Sequence, residues 1–174
     1  MAEAVSRRND WWKIAVAAVI AIELLGGLSG WLSQSGYGNP WFDALAKPSF
    51  MPPGYWFGIV WPILYALLGI AVAMILAEPP SDRRRFALIL FFVQLALNFA
   101  WSPIFFTGHD ISLAKLVIFC MVLIAAYAAG QFYRLRKPAG LLMVPYLAWL
   151  TFAATLNTTI ERLNPDASVS LIGS

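Results

Sequence analysis

Charged residues are scarce in this chain. Lys and Arg together number 12 and Asp and Glu number 9 among 174 residues, so that 12% of the chain is charged. Hydrophobic residues make up 60%, and the mean hydropathy is +0.71. A water-soluble domain contains about a quarter charged residues. The low charge and the long apolar runs therefore exclude an ordinary soluble globule and predict a membrane protein.

The chain also has only one cysteine, Cys120, and one histidine, His109. These numbers exclude an internal disulfide framework and a metal cluster built from cysteine or histidine. The sequence shows no paired carboxylates, no Ser-His-Asp set and no glycine-rich phosphate loop. We therefore predict no catalytic residues and no metal site. The basic clusters at 83–85 and 134–137 indicate membrane topology and contact with anionic lipid, and not binding to nucleic acid.

Five apolar stretches are each long enough to cross a hydrocarbon core of about 30 Å, which needs about twenty helical residues. Proline and glycine residues mark most of the links between them. We predict an all-α membrane protein, a compact bundle of five transmembrane helices that forms a single domain over residues 1–174. The predicted helices cover residues 11–34, 54–77, 84–106, 110–134 and 139–163, with disordered tails at 1–9 and 165–174.

The link between the first two predicted helices is long and rich in glycine, proline and aromatic residues. Its aromatic side chains include Trp41, Phe42, Phe50 and Tyr55. Aromatic residues at the end of a transmembrane helix favour the membrane interface. We expect this loop to fold back over the mouth of the bundle as a lid.

The distribution of basic residues predicts the orientation of the chain. The N-terminus and the second and fourth links together hold nine Lys and Arg residues, and the opposite side holds three, Lys47, Lys115 and Arg162. Basic loops stay in the cytoplasm during bacterial insertion. This predicts a bacterial cell (inner) membrane with the N-terminus in the cytoplasm, an outer or an organelle membrane being the alternatives.

Polar and aromatic side chains share helical faces at membrane depth. The third predicted helix places Gln94, Asn98, Trp101 and Phe105 at i, i+4, i+7 and i+11. An amide that faces lipid is costly, so these amides must face protein or a ligand. Aromatic residues follow a similar spacing on the second and fifth helices, at Phe57, Trp61 and Tyr65 and at Tyr146, Trp149 and Ala153. Interhelical packing explains such stripes in general, and a cavity for a flat apolar ligand is the alternative.

The first predicted helix has two further features. Glu23 is a carboxylate inside the span, where an ionisable residue suggests a function. Gly26 and Gly30 form a GxxxG pattern, which lets two helix backbones approach closely. This pattern predicts a dimer contact.

Three separated motifs together resemble the TspO/MBR family, the tryptophan-rich sensory proteins and translocator (peripheral benzodiazepine receptor) proteins. The motifs read WFDALAKPSFMPPGYWFGIVWPILY, QLALNFAWSPIFF and VPYLAWLTFAATLN, and the resemblance covers about residues 11–164.

The resemblance implies a five-helix bundle, commonly a homodimer, that binds protoporphyrin IX or a similar flat ligand without a covalent cofactor. It implies a membrane receptor or carrier for transport or stress sensing. The implied ligand-binding residues, taken together with the stripes, are Phe50, Trp61, Tyr65, Asn98, Trp101, Tyr146, Trp149 and Ala153. The implied lid residues are Trp41, Pro48, Pro52 and Pro53.

Two departures from the family pattern matter. Phe50 stands where the loop often has tryptophan, and Thr158 stands where the proposed cholesterol motif of animal members has tyrosine. Sterol binding is therefore less supported than porphyrin binding. Two alternatives stay open at this point: an enzyme that breaks down porphyrin in light, and a scaffold protein that acts through its helix faces.

Overall fold

The computed structural model describes residues 11–167, which are helical throughout apart from the links. The helices in chain order are α1 (Trp11–Leu32), α2 (Pro40–Ala44), α3 (Gly54–Leu76), α4 (Asp82–Ser102), a π-helix (Pro103–Thr107), α5 (Ile111–Leu135), α6 (Lys137–Leu142) and α7 (Val144–Leu163). No strand occurs within the described residues.

Five helical segments are long and apolar enough to cross a membrane. They are α1, α3, α4 together with the π-helix, α5, and α6 together with α7. Their ends lie within two residues of the predicted ends, which confirms the predicted all-α, five-span architecture. The predicted tail at 1–9 lies outside the described residues. Of the tail at 165–174, residues 165–167 are described, and Ala167 N–H donates to the Asn164 carbonyl in a turn.

Polar side chains cap the helix ends, where backbone N–H and C=O groups have no partner within the helix. Ser81 Oγ accepts from the Arg84 amide (3.2 Å), and Asp110 Oδ1 accepts from the Leu113 amide (2.8 Å). Arg84 also donates through its guanidinium to the carbonyls of Ile75 (3.0 Å) and Leu76 (2.8 Å) at the end of α3. These bonds satisfy backbone groups that would otherwise face the membrane surface.

The π-helix after α4 changes the direction of the side chains that follow it. Pro103 has no N–H, and its carbonyl accepts from the Gly108 amide at 2.8 Å, five residues further along the chain. This i to i+5 bond is the pattern of a π-helix. The wider turn places Phe105 over Trp101, with ring centroids 5.0 Å apart and ring planes at 19°. The sequence predicts a continuous α-helix through these residues, and the π-helical turn differs from that prediction.

Contact between α1 and α3 depends on glycine. A Cβ atom on Gly69 would lie 2.7 Å from the Val19 Cα atom and 2.8 Å from its nitrogen. A Cβ atom on Gly26 would overlap the ring of Tyr65. At Gly26 the backbone of α1 therefore packs against a side chain of α3, and at Gly69 the backbone of α3 packs against the backbone of α1. Small residues allow such close contacts between membrane helices.

The buried core has two parts. The larger lies among α3, α4, α5 and α7 and includes Leu68, Phe91, Phe132 and Leu150, which are fully buried. The smaller lies between the loop of α2 and the π-helix. The second part joins the loop to the bundle, so the loop is an integral part of the fold.

We predict that Gly69→Ala destabilises the bundle. The added methyl group must push α1 away from α3, which costs about 1–3 kcal/mol for overpacking. The measurement is the midpoint of thermal unfolding in detergent, which should fall. Gly58→Ala is the matched control on the same helix, because a Cβ atom at Gly58 meets nothing within 4 Å. Equal midpoints for the two variants would contradict the close contact.

Candidate functional site

A cavity of about 1220 Å³ lies inside the bundle beneath the loop that holds α2. Its walls come from α1, α3, α4, α5 and α7, and residues 34–39, Phe42 and Met51 of the loop close one end. The cavity therefore lies in the half of the bundle next to the loop, and packed side chains fill the other half.

A chain of buried hydrogen bonds forms the floor of this cavity. Tyr65 Oη donates to Asn98 Oδ1 (2.8 Å), and Asn98 Nδ2 donates to Tyr146 Oη (3.1 Å). Tyr146 Oη in turn donates to Gln94 Oε1 at 2.7 Å. Tyr65, Gln94, Asn98 and Tyr146 are all buried and come from α3, α4 and α7. The chain of bonds joins three spans at membrane depth, where the surrounding lipid offers no hydrogen-bond partner.

Two buried donor nitrogens have no hydrogen-bond partner among the described residues. They are Nε2 of Gln94, behind the floor, and Nε1 of Trp149, whose residue lines the cavity. A buried N–H without a partner costs about 1–3 kcal/mol. Trp149 therefore presents its ring to the cavity, while neighbouring protein atoms cover its N–H.

One side of the cavity is a wall of aromatic rings. Trp61 lies between Tyr65 and Trp149, with centroid distances of 5.2 and 6.5 Å. The planes of the two tryptophan rings are at 87° to each other, and Phe57 meets Trp149 edge-on at 5.7 Å. These rings offer both faces and edges to a flat ligand.

Hydrogen bonds also fix the opposite wall. Trp101 Nε1 donates to Asn157 Oδ1 (3.2 Å), and Asn157 Nδ2 donates to the Ile111 carbonyl (3.0 Å). The amide of Asn157 thereby joins α4, α5 and α7 and holds the Trp101 ring in one orientation. That ring borders the cavity without a free polar atom of its own.

The loop over the cavity is tied to the bundle through α2. Asn39 Oδ1 accepts from the Phe42 amide (3.1 Å) and so caps α2. The other end of the Asn39 amide, Nδ2, donates to the Phe106 carbonyl at 3.4 Å. Phe42 is only 3% exposed and packs edge-on against Phe105 and Phe106.

Two polar side chains hold the far end of the loop. Asn164 Oδ1 accepts from the Ala46 amide (2.8 Å), and Asn164 Nδ2 donates to the Ala46 carbonyl (2.9 Å). Lys47 Nζ donates to the carbonyls of Phe42, Asp43 and Leu45 at 2.7–3.1 Å. The amide of Asn164 therefore binds both the N–H and the C=O of Ala46, as the backbone of a neighbouring β-strand would, and holds the loop at the end of α7.

The structure brings most of the predicted ligand-binding residues together. The cavity lining includes Trp61, Tyr65, Asn98, Trp101, Trp149 and Ala153. Tyr146 is fully buried behind the floor, where it supports Asn98, and does not line the cavity. Phe50 is 47% exposed and contacts Phe152 outside the lining.

The predicted lid residues support the loop from outside the cavity. Trp41 stacks on His109 at 4.4 Å and meets Phe105 edge-on at 5.5 Å. Pro48 is buried, while Pro52 is half-buried and Pro53 precedes α3. None of these four residues lines the cavity. The loop residues that do are Tyr37, Asn39, Phe42 and Met51, and no helical spacing could place them there in advance.

The two glycines predicted for a dimer contact face the inside of their own chain. Gly26 packs against the Tyr65 ring, and both Gly26 and Gly30 line the cavity. The small size of Gly26 therefore has an intramolecular explanation. A dimer contact through these glycines stays a prediction.

Comparison with known proteins agrees with this architecture. Residues 15–163 match the model of the TspO/MBR family. The chain belongs to the TspO/MBR family. Similar proteins include the tryptophan-rich protein TspO of Chlorobaculum tepidum, 37% identical over 87% of this chain and 97% of the relative. The translocator protein of Sus scrofa is 37% identical over 83% of this chain and 89% of its own length. The tryptophan-rich sensory protein of Cereibacter sphaeroides is 39% identical over 72% and 78%.

Family membership and the five apolar spans together make this chain an integral, multi-pass membrane protein. The family resemblance of the three motifs is thus confirmed over nearly the whole described chain. The cavity lies among the same three segments, since motif residues from each of them line it.

We predict that Asn164→Ala frees the loop over the cavity without unfolding the bundle. Losing two hydrogen bonds to Ala46 should speed amide exchange at residues 44–47 by roughly thirtyfold, since each bond contributes about 1 kcal/mol. Hydrogen–deuterium exchange with mass spectrometry measures this rate. Thr159→Ala is the control, because its hydroxyl bonds only to Thr155 in its own helix. Unchanged exchange in the Asn164 variant would contradict the clamp.

Proposed function

We propose that this protein is a membrane receptor or carrier that binds a flat, largely apolar ligand of the tetrapyrrole class, such as protoporphyrin IX, in the cavity beneath the loop. The observation that supports it most is the wall that Trp61, Tyr65 and Trp149 form along one side of the cavity. Aromatic faces bind a flat ring, and the few polar atoms orient its substituents.

The size of the cavity also supports a large ligand. Pockets for drug-sized molecules have volumes of about 300–1,000 Å³. At about 1220 Å³ this cavity exceeds that range. A tetrapyrrole has an extended ring and polar substituents at its edge, and both parts find suitable partners among the lining residues.

The printed names of the relatives favour the same class of function. One is called a translocator protein and another a sensory protein. Both names suit a protein that binds a small molecule in the membrane and then passes it on or reports its presence. Transport and sensing are therefore the two roles that we propose for the binding site.

We predict that Trp149→Ala weakens the binding of protoporphyrin IX by about tenfold. Loss of the ring removes an aromatic contact that contributes about 1–1.5 kcal/mol, and about 1.4 kcal/mol corresponds to a tenfold change in affinity. The measurement is a titration of the purified protein, followed by the absorbance and fluorescence of the porphyrin itself.

The matched control for this titration is Trp12→Ala. Trp12 is 54% exposed on α1 and does not line the cavity, so its loss should leave the affinity unchanged. If both variants bind porphyrin as the wild type does, the porphyrin is not in the cavity. If the wild type does not saturate, the proposed ligand class is wrong.

A second candidate function is the light-dependent breakdown of the bound porphyrin. The rings of Tyr65, Trp61 and Trp149 follow one another along one wall, where they could donate electrons to an excited porphyrin. Illumination of the purified complex in air should then give a discrete product, formed more slowly by Trp61→Phe. A product that free tryptophan forms equally well would contradict catalysis.

As a separate proposal, the protein acts as a homodimer in the lipid bilayer.

We further propose that the loop faces away from the cytoplasm. Arg136 pairs with Glu78 (3.6 Å) and lies over the Trp11 ring, so the basic clusters meet at the end of the bundle opposite the loop. At the loop end, Lys115 pairs with Glu161. This asymmetry supports a cytoplasmic N-terminus in a bacterial inner membrane.

A further inference from the structure

Glu23 places a carboxyl group in the cavity at membrane depth. The residue lies near the middle of α1, twelve residues after Trp11 and nine before Leu32. It is half-buried and lines the same cavity as Trp61 and Tyr65. At about 1.5 Å per residue, it is more than 10 Å from either end of α1, which is too far for lipid headgroups to pair with it readily.

The described protein offers this carboxyl group no partner. No hydrogen bond or ion pair joins Glu23 to another residue between 11 and 167. Of the described residues that line the cavity, Glu23 alone has a charged side chain. The nearby Tyr65 hydroxyl donates its hydrogen to Asn98 and is already used.

An intramembrane carboxyl group without a partner is costly and suggests a partner from outside the chain. The neighbouring residues leave room for one. Gly27 lines the cavity beside Glu23, and a Cβ atom there would meet nothing within 4 Å. The carboxyl group is therefore accessible from the cavity.

The surroundings of Glu23 favour a positively charged or N–H partner. The ring of Tyr65 lies on the adjacent wall, and Trp61 follows it at 5.2 Å. The faces of aromatic rings attract cations, and a carboxylate beside them adds to that attraction. No basic side chain of the described lining competes for the carboxylate.

We propose that Glu23 is a specificity-determining residue that recognises a protonated or N–H-donating nitrogen on a flat ligand. This inference rests on the proposed function, because it requires a ligand in the cavity. It gives the site a direction, since the nitrogen-bearing, donating edge of the ligand belongs near Glu23. A ligand carboxylate is repelled from the α1 side and points away from it.

Three fluorescent acridines of the same ring size test this charge selection. They are 9-aminoacridine, which is cationic at neutral pH, acridine, which is neutral, and acridine-9-carboxylate, which is anionic. The purified wild type should bind them in that order of decreasing affinity. Glu23→Gln should weaken the cationic probe by about tenfold, the loss of one charged hydrogen bond, and strengthen the anionic probe.

Asp82→Asn is the matched control, because it removes the same charge from an exposed position outside the cavity. It should leave the order and the affinities unchanged. Protoporphyrin IX is titrated in parallel with each variant as the test of the cavity itself.

The outcomes separate the two proposals. If protoporphyrin binds but 9-aminoacridine does not bind, or binds as acridine-9-carboxylate does, the role of Glu23 is wrong and the cavity stands. The role is also wrong if Glu23→Gln keeps the wild-type selection. If neither protoporphyrin nor any acridine binds, both the proposed function and the role of Glu23 are wrong.

Discussion

The hydrogen bonds among Gln94, Tyr146, Asn98 and Tyr65 connect α4, α7 and α3 at a depth where lipid cannot substitute for them. Polar groups in a bilayer must find partners inside the bundle. This requirement sets the distances between the three helices. The rings of Trp61 and Trp149 extend from the same helices toward the loop, so the chain also sets the spacing of the aromatic wall.

The remaining elements close the space that this chain of bonds leaves open. On one side, α1 approaches α3 at Gly69 and Gly26, where a larger residue would hold the helices apart. At the loop end, Asn39 and Asn164 use side-chain amides to fasten the loop to the π-helix and to α7. Helix packing thus bounds the cavity on one side, and the hydrogen-bonded loop bounds it at the end.

Much of this arrangement could be predicted from the sequence, because run length and helical spacing determine it. The five spans follow from the length of the apolar runs, and the inward position of Gln94 and Asn98 follows from the cost of placing amides in lipid. Helical spacing places Trp61 and Trp149 on faces with other aromatic residues. The π-helix at Pro103–Thr107 and the cavity-facing part of the loop did not follow. They depend on contacts between distant residues, such as Asn39 with Phe106, which no local spacing contains.

We expect a flat ligand to occupy the space between the aromatic wall and the loop. An experimental structure of the protein reconstituted in lipid with protoporphyrin IX tests this placement. Porphyrin density should lie against the rings of Trp61 and Trp149, beneath Phe42 of the loop. Porphyrin density on the lipid-facing surface, with the cavity empty, would contradict this placement.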